Sequence, residues 1–200
     1  MNIHELLWNN VDQRLTPELI VGILAGANAP VEPVDNSIVH TLPEVVANSS
    51  YGAYSFSVEP ILSCFDELTA QHKSQWDEVE QVRQVFNPDY DAIIRSEYAG
   101  SRVQFVVRKD GVMVGNCGCY IMRSLHTQQL KASEDTMYIA RDHRKGMLAV
   151  RFFKFCESVL LHLGVKEISV TTKVSNNVHK LWERQGYEFS DRVLSKVFEE

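Results

Sequence analysis

No stretch of this 200-residue chain approaches the roughly 18 consecutive apolar residues that would cross a bilayer, which argues against a membrane span. The opening residues, MNIHELLWNNVDQ, lack the positive, apolar and small-residue zones of a secretory leader. Cysteine is sparse: Cys64, Cys117, Cys119 and Cys156 are the only four, and the seven histidines offer no second ligand pair at finger-like spacing, so zinc is not expected. Reduced thiols without a leader point to the cytoplasm. Cys117 and Cys119 stand two apart in a strand-like run and should share one face as small apolar residues. Basic residues are nearly missing from the first sixty positions, where Arg14 alone stands against seven acids. The remaining residues carry 19 acids and 19 bases, so the whole net charge of -6 resides in that segment. A general nucleic-acid-binding face is therefore not indicated. The acidic segment is either a solvated surface or a match for a basic partner. Also absent are a Walker loop and a Gly-x-Gly-x-x-Gly turn, which removes the two commonest nucleotide signatures.

What is present is enough apolar content, 44%, for one good core with an appendage. Residues 1–57 read as an acidic N-terminal extension, helical at HELLWNNV and LTPELIVGILAG and irregular beyond, and they hold four of the six prolines. Residues 58–200 read as the main domain. A long helical pattern starts after Val58, with Ile61, Leu62, Phe65 and Leu68 on one face. A second helix has Asn87 as cap, Pro88 in its first position and Gly100 as stop. Two β-rich runs around Lys109-Asp110-Gly111 predict a hairpin. EDTMYIA predicts a short strand, followed by a helix from about Lys145 to Leu163 with Leu148, Phe152, Phe155, Cys156 and Val159 inward. VKEISVTTK is strand-like, SNNVHKLWERQG helical with Gly186 as terminator, and YEFSDRVLSKVFEE suggests a last strand. An early hairpin followed by alternating strands and helices implies a mixed α/β sheet.

The most informative stretch is YIARDHRKGMLAVRFFKFCE. Here a basic pair and a glycine join a strand to an amphipathic helix. A helix N-terminus already exposes unpaired N–H groups and about half a positive charge. Arg144 and Lys145 add charge-assisted contacts, and Gly146 removes a side chain that would block an anion. The turn is suited to a diphosphate, although strand-turn-helix joints with one glycine and two bases are also common as plain structure.

The order of elements, this turn, and the later NNVHKLWERQGYEF together resemble the GCN5-related N-acetyltransferase superfamily over residues 58–200. In that family an Arg/Gln-x-x-Gly-x-Gly/Ala turn binds the pyrophosphate of acetyl-CoA, and a later helix carries Asn-x-x-Ala-x-x-Leu-Tyr-Glu-x-x-Gly-Phe. The stretch DGVMVGNCGCYIMRSLHTQQLKASEDTMYIARDHRKG is especially similar to bacteriophage members, which implies a phage or prophage origin. The fold implied is a mixed, mostly antiparallel central sheet flanked by helices. The activity implied is acetyl transfer from acetyl-CoA to an amine: a protein lysine, a modified base or a small amine, with a host protein among the acceptors.

Two registers fit the turn. In the preferred one Arg144 leads and Ala149 is the final small residue, with Met147 where glycine is usual; in the other Gly146 is central, with His143 and Leu148 as departures. The cofactor seat implied comprises Arg144, Lys145, Gly146, Met147, Leu148 and Ala149, with the backbone of Tyr138, Ile139 and Ala140 along the pantetheine arm and Asn176 bonding that arm. Asn176 and Asn177 have an adequate alternative role as helix caps. Acetyl transfer needs a neutral amine, a stabilised oxyanion and a proton for the thiolate. For the base, Glu134 and Asp135 open the strand before the turn on opposite faces, and His126 sits in a loop where the phage group also carries His. Leu181-Trp182-Glu183 replaces the family's Leu-Tyr-Glu, so the usual proton donor is missing and Trp182 reads as a packing residue. That loss and Met147 also support an alternative: a GNAT-fold binding module, weakly active or inactive, that docks on a host protein through its acidic extension.

Overall fold

In chain order the elements are a one-turn helix α1 (Glu44–Ala47), strands β1 (Asn48–Tyr51) and β2 (Tyr54–Val58), and a 3-10 turn (Ile61–Ser63). Helices α2 (Phe65–Val79) and α3 (Tyr90–Tyr98) follow, then strands β3 (Arg102–Lys109), β4 (Val112–Arg123) and β5 (Leu130–Ile139). A 3-10 turn (Arg141–His143) leads into helix α4 (Leu148–His162), strand β6 (Glu167–Ser169) and the short helix α5 (His179–Glu183). This is a computed structural model, and it describes residues 42–79, 85–173, 178–191 and 196. The two helices expected before residue 27, and Asn176 and Asn177, lie outside the described residues.

The six strands form one sheet in the order β1-β2-β3-β4-β5-β6, antiparallel except for the parallel β5–β6 pair. The β3–β4 hairpin closes as the sequence predicts: Asp110 and Gly111 both take positive φ, 51° and 82°, the pattern of a two-residue turn whose twist matches its strands. Only a crossover can join parallel neighbours, and α4 supplies it. Side chains alternate across the sheet, so β3 sends Val103, Phe105 and Val107 to one face. There they meet Cys117, Cys119 and Ala132 from the next strands and Phe152, Phe153, Cys156, Val159 and Leu160 of α4. On the other face Val106 and Met113 pack with Ile61, Cys64 and Leu68.

Several expectations shift. Leu62 is exposed, because Ile61–Ser63 is a separate 3-10 turn and α2 restarts the helical phase at Phe65. The cap of α3 is Asp89, whose Oδ1 accepts from Ala92 N at 2.9 Å, so Asn87 and Pro88 precede the helix. The strand before the basic turn is ten residues long and begins at Leu130. Tyr187–Asp191 form no strand. Residues 48–57, read as part of the extension, build the β1–β2 hairpin, and β2 pairs with β3. By contrast, the inward residues expected for α4 are all buried, and Gly100, Gly164 and Gly186 end their helices with positive φ.

Candidate active site

Strand β6 pairs with β5 over only three positions, Lys131–Glu167, Ala132–Ile168 and Ser133–Ser169. From Glu134 to Ile139, β5 runs on with no strand on that edge among the described residues. Glu134 therefore stands at the point where the two strands part. Its Oε2 accepts the backbone N–H of Thr171 at 3.3 Å, two residues past the end of β6.

Burial raises the Glu134 carboxyl to about 7; the Thr171 hydrogen bond opposes the shift and the nearby Asp135 charge adds to it. Such a group is half ionised near neutral pH and suited to accepting a proton. Asp135 differs in environment: its Oδ2 takes a 2.7 Å bond from Nη1 of the buried Arg102. The two carboxylates face opposite sides, as the sequence suggests. Glu134 pairs opposite Cys119, on the α4 face, and Asp135 reaches Arg102 on the α2 face.

Beyond β5 the chain turns into α4. Gly146 has φ 68°, a conformation L side chains rarely adopt, and a Cβ added there would meet nothing within 4 Å. Met147 is the N-cap and supplies no side-chain hydrogen bond, and the first turn of α4 holds no acid. The N–H groups of that turn thus lack a side-chain cap, beside open space and an exposed Lys145.

Arg144 is already engaged. Its Nε donates to Ile139 O at 2.6 Å, and its Nη1 and Nη2 both reach the carboxylate of Glu78, the latter at 2.8 Å. Its guanidinium also lies 5.2 Å from the Tyr138 ring centre. Arg141 Nε donates to the same carboxylate at 3.2 Å. Hydrogen bonding from Arg144 holds the Glu78 carboxyl below its usual range. The basic turn thus has a neutralising partner, from α2, that local sequence does not reveal.

Backbone groups of the expected pantetheine edge are partly committed too: Ala140 N–H donates to Val114 O at 2.8 Å, and Ile139 O holds Arg144. His126 lies exposed in the β4–β5 loop, its N–H bonded to Ser124 Oγ at 3.3 Å, with Leu130–Ser133 between that loop and Glu134. Trp182 is 6% exposed, its ring 4.3 Å from that of Phe153 and 5.8 Å from that of Tyr187, so packing accounts for it. Sequence reasoning missed Glu78, Arg102 and Thr171, whose roles depend on contacts across 33 to 66 positions.

The acetyltransferase (GNAT) family model matches residues 62–187, well over half of the chain. The chain belongs to the GNAT acetyltransferase family. No curated protein gives a significant sequence match. Among solved structures, the fold resembles a ribosomal-protein-alanine N-acetyltransferase from Brucella melitensis biovar Abortus 2308, with TM-score 0.61 and 16% identity, covering 74% of this chain and 100% of that one. It also resembles an aminoglycoside acetyltransferase from an uncultured soil metagenomic sample, in complex with sisomicin, with TM-score 0.59 and 10% identity over 74% and 96%. A third is AAC(6')-Iy with the bisubstrate analog CoA-S-monomethyl-acetylneamine, TM-score 0.58 and 14% identity over 74% and 99%. As a GNAT member this chain is an N-acetyltransferase that uses acetyl-CoA. Its residues fit that cosubstrate: among the described residues, a helix start without a side-chain cap, open space at Gly146 and an unpaired β5 edge occur together. No helix among the described residues is long and apolar enough to cross a membrane.

Proposed function

We propose that this GNAT enzyme seats the diphosphate of acetyl-CoA on residues 144–149 and that Glu134 takes the proton of the acceptor amine. The observation that carries the reading is the position of Glu134, at the parting of β5 and β6, on the same strand that leads into the uncapped start of α4. Acetyl-CoA brings an activated acetyl group; the chain's residues bind, orient and move the proton. The N–H groups at the start of α4 and the Lys145 ammonium attract phosphate oxygens, and Arg144 joins them on leaving Glu78. The edge of β5 that is unpaired among the described residues, within Tyr138 and its neighbours, offers backbone groups to the pantetheine amides.

An aliphatic amine with a pKa near 10 is almost wholly protonated at neutral pH and must lose a proton before it can attack. Glu134, ionised above about pH 7, accepts it. Asp135 is the weaker candidate because its charge is already committed to Arg102. His126, in its exposed loop, fits a contact with the acceptor. The acceptor class is an amine: a protein lysine, a modified base or a small amine. The phage-like stretch from Asp110 to Gly146 supports a phage-encoded enzyme with a host protein among its acceptors.

Calorimetry with acetyl-CoA tests the seat. Micromolar binding is expected, and Gly146→Glu abolishes it by adding bulk and negative charge where φ is already 68°. Unchanged affinity in a folded Gly146→Glu variant would move the seat elsewhere. No binding at millimolar acetyl-CoA would favour a GNAT-fold binding module instead.

A further inference from the structure

The α2 face of the sheet holds a buried guanidinium with an uncommon setting. Arg102, on β3, is 0% exposed, and Tyr120 stacks 4.7 Å from its Cζ. Among the described residues its charged partner is Asp135, through Nη1, and Nε and Nη2 have no protein partner. Asp135 is an extra residue in its strand: Gly118 pairs with Thr136 and Cys119 with Glu134, so nothing on β4 stands opposite Asp135. Such a bulge bends the strand and re-aims the side chains beside it.

Gly118 provides the room. A Cβ there would overlap Arg102 Nη2 and lie 2.9 Å from Cζ and 3.1 Å from Thr136 Oγ1. Gly118 is therefore required by space, and the guanidinium lies where its side chain would be. A buried cation, a bulged carboxylate and a glycine seat thus share one spot, directly next to Glu134.

We propose that Arg102 is a positioning residue, which holds Asp135 in the bulge over Gly118 and so keeps Glu134 turned to the opening between β5 and β6. The proposal rests on Glu134 as the proton acceptor, because only then does its direction matter to the reaction. Arg102 itself is fully buried and acts through Asp135. The groups on the Glu134 side of the sheet are the thiols of Cys117 and Cys119 on β4 and the Thr171 N–H past β6, and the charge of Asp135 acts on it from the opposite face.

Nuclear magnetic resonance on the full chain reads this without a known acceptor. With ¹³C-carboxyl glutamate and ¹⁵N amides, Glu134 and the Thr171 N–H should titrate together in the wild type, with one midpoint near 7. In Asp135→Ala and in Gly118→Ala, the Thr171 amide is expected to lose its response to Glu134 while the rest of the spectrum stays folded. A purely electrostatic role for Asp135 would lower the midpoint and keep the joint response, and that result overturns the proposal. So does a wild type in which the two signals move independently. If Gly118→Ala does not fold, the paired replacement Arg102→Met with Asp135→Ala, which removes the buried charge together with its partner, decides alone. Full acetyl transfer by Glu134→Gln to a panel of primary amines would remove Glu134 as base yet leave the titration result, so the two failures are distinct.

Discussion

The Thr171 N–H donates to Glu134 Oε2 at 3.3 Å, across the gap where β6 has left β5. This bond joins the two strands just beyond their last paired residues and holds one end of a carboxyl whose ionisation is set by burial.

Glu134 makes stability depend on pH with a defined sign. Its folded pKa, about 7, exceeds the ordinary 4.5, so the fold prefers it protonated. That preference is fully present below pH 4.5 and is lost as pH rises through 7. Above that, the ionised group costs on the order of 3 kcal/mol. Glu134→Gln should therefore stabilise the chain at pH 8, leave it unchanged at pH 4, and slow acetyl transfer roughly 100-fold. Chemical denaturation at both pH values, with an acetyl-CoA assay, checks all three.

His72 acts in the opposite sense. Burial, with the Arg102 charge behind it, lowers the imidazole to about 4, and its Nδ1 lies 3.4 Å from the Tyr90 hydroxyl. The neutral ring's contribution is present above pH 6.5 and is lost as pH falls through 4. His72→Gln is expected to flatten the melting temperature over that window, relative to wild type. A parallel decline in both proteins would show that other groups govern acid unfolding.

Glu78 competes with phosphate for Arg144. The carboxylate is 21% exposed and the arginine 39%, so releasing the pair frees the guanidinium at modest energetic cost. Glu78→Gln should tighten acetyl-CoA binding roughly two- to fivefold. Weaker binding in calorimetry would mean that Glu78 instead holds Arg144 in its working place.

Trp182, in the Leu181-Trp182-Glu183 stretch that resembles the family's Leu-Tyr-Glu, sits in the core against Phe153 and Tyr187. Its replacement by Ala should cost about 3–5 kcal/mol in equilibrium unfolding. Trp182→Tyr keeps most of the ring contact, and its turnover should match wild type. A clear acceleration would show that a proton donor at this position was the missing group.

Local patterning determined much of this protein. Asp110-Gly111 closed the β3–β4 hairpin, Gly100, Gly164 and Gly186 stopped helices, and the apolar stripe of α4 pointed inward, because each depends on neighbours within a few positions. The basic turn was legible from its own residues, and Glu134 and Asp135 from their place just before it together with the family resemblance. Tertiary structure decided what they touch. The pairing of Glu78 with Arg144, the bulge over Gly118 and the joining of β1–β2 to the sheet all depend on strand register and helix placement. Those are set by packing between segments far apart in the chain, where the periodicity of one segment carries no record of the other.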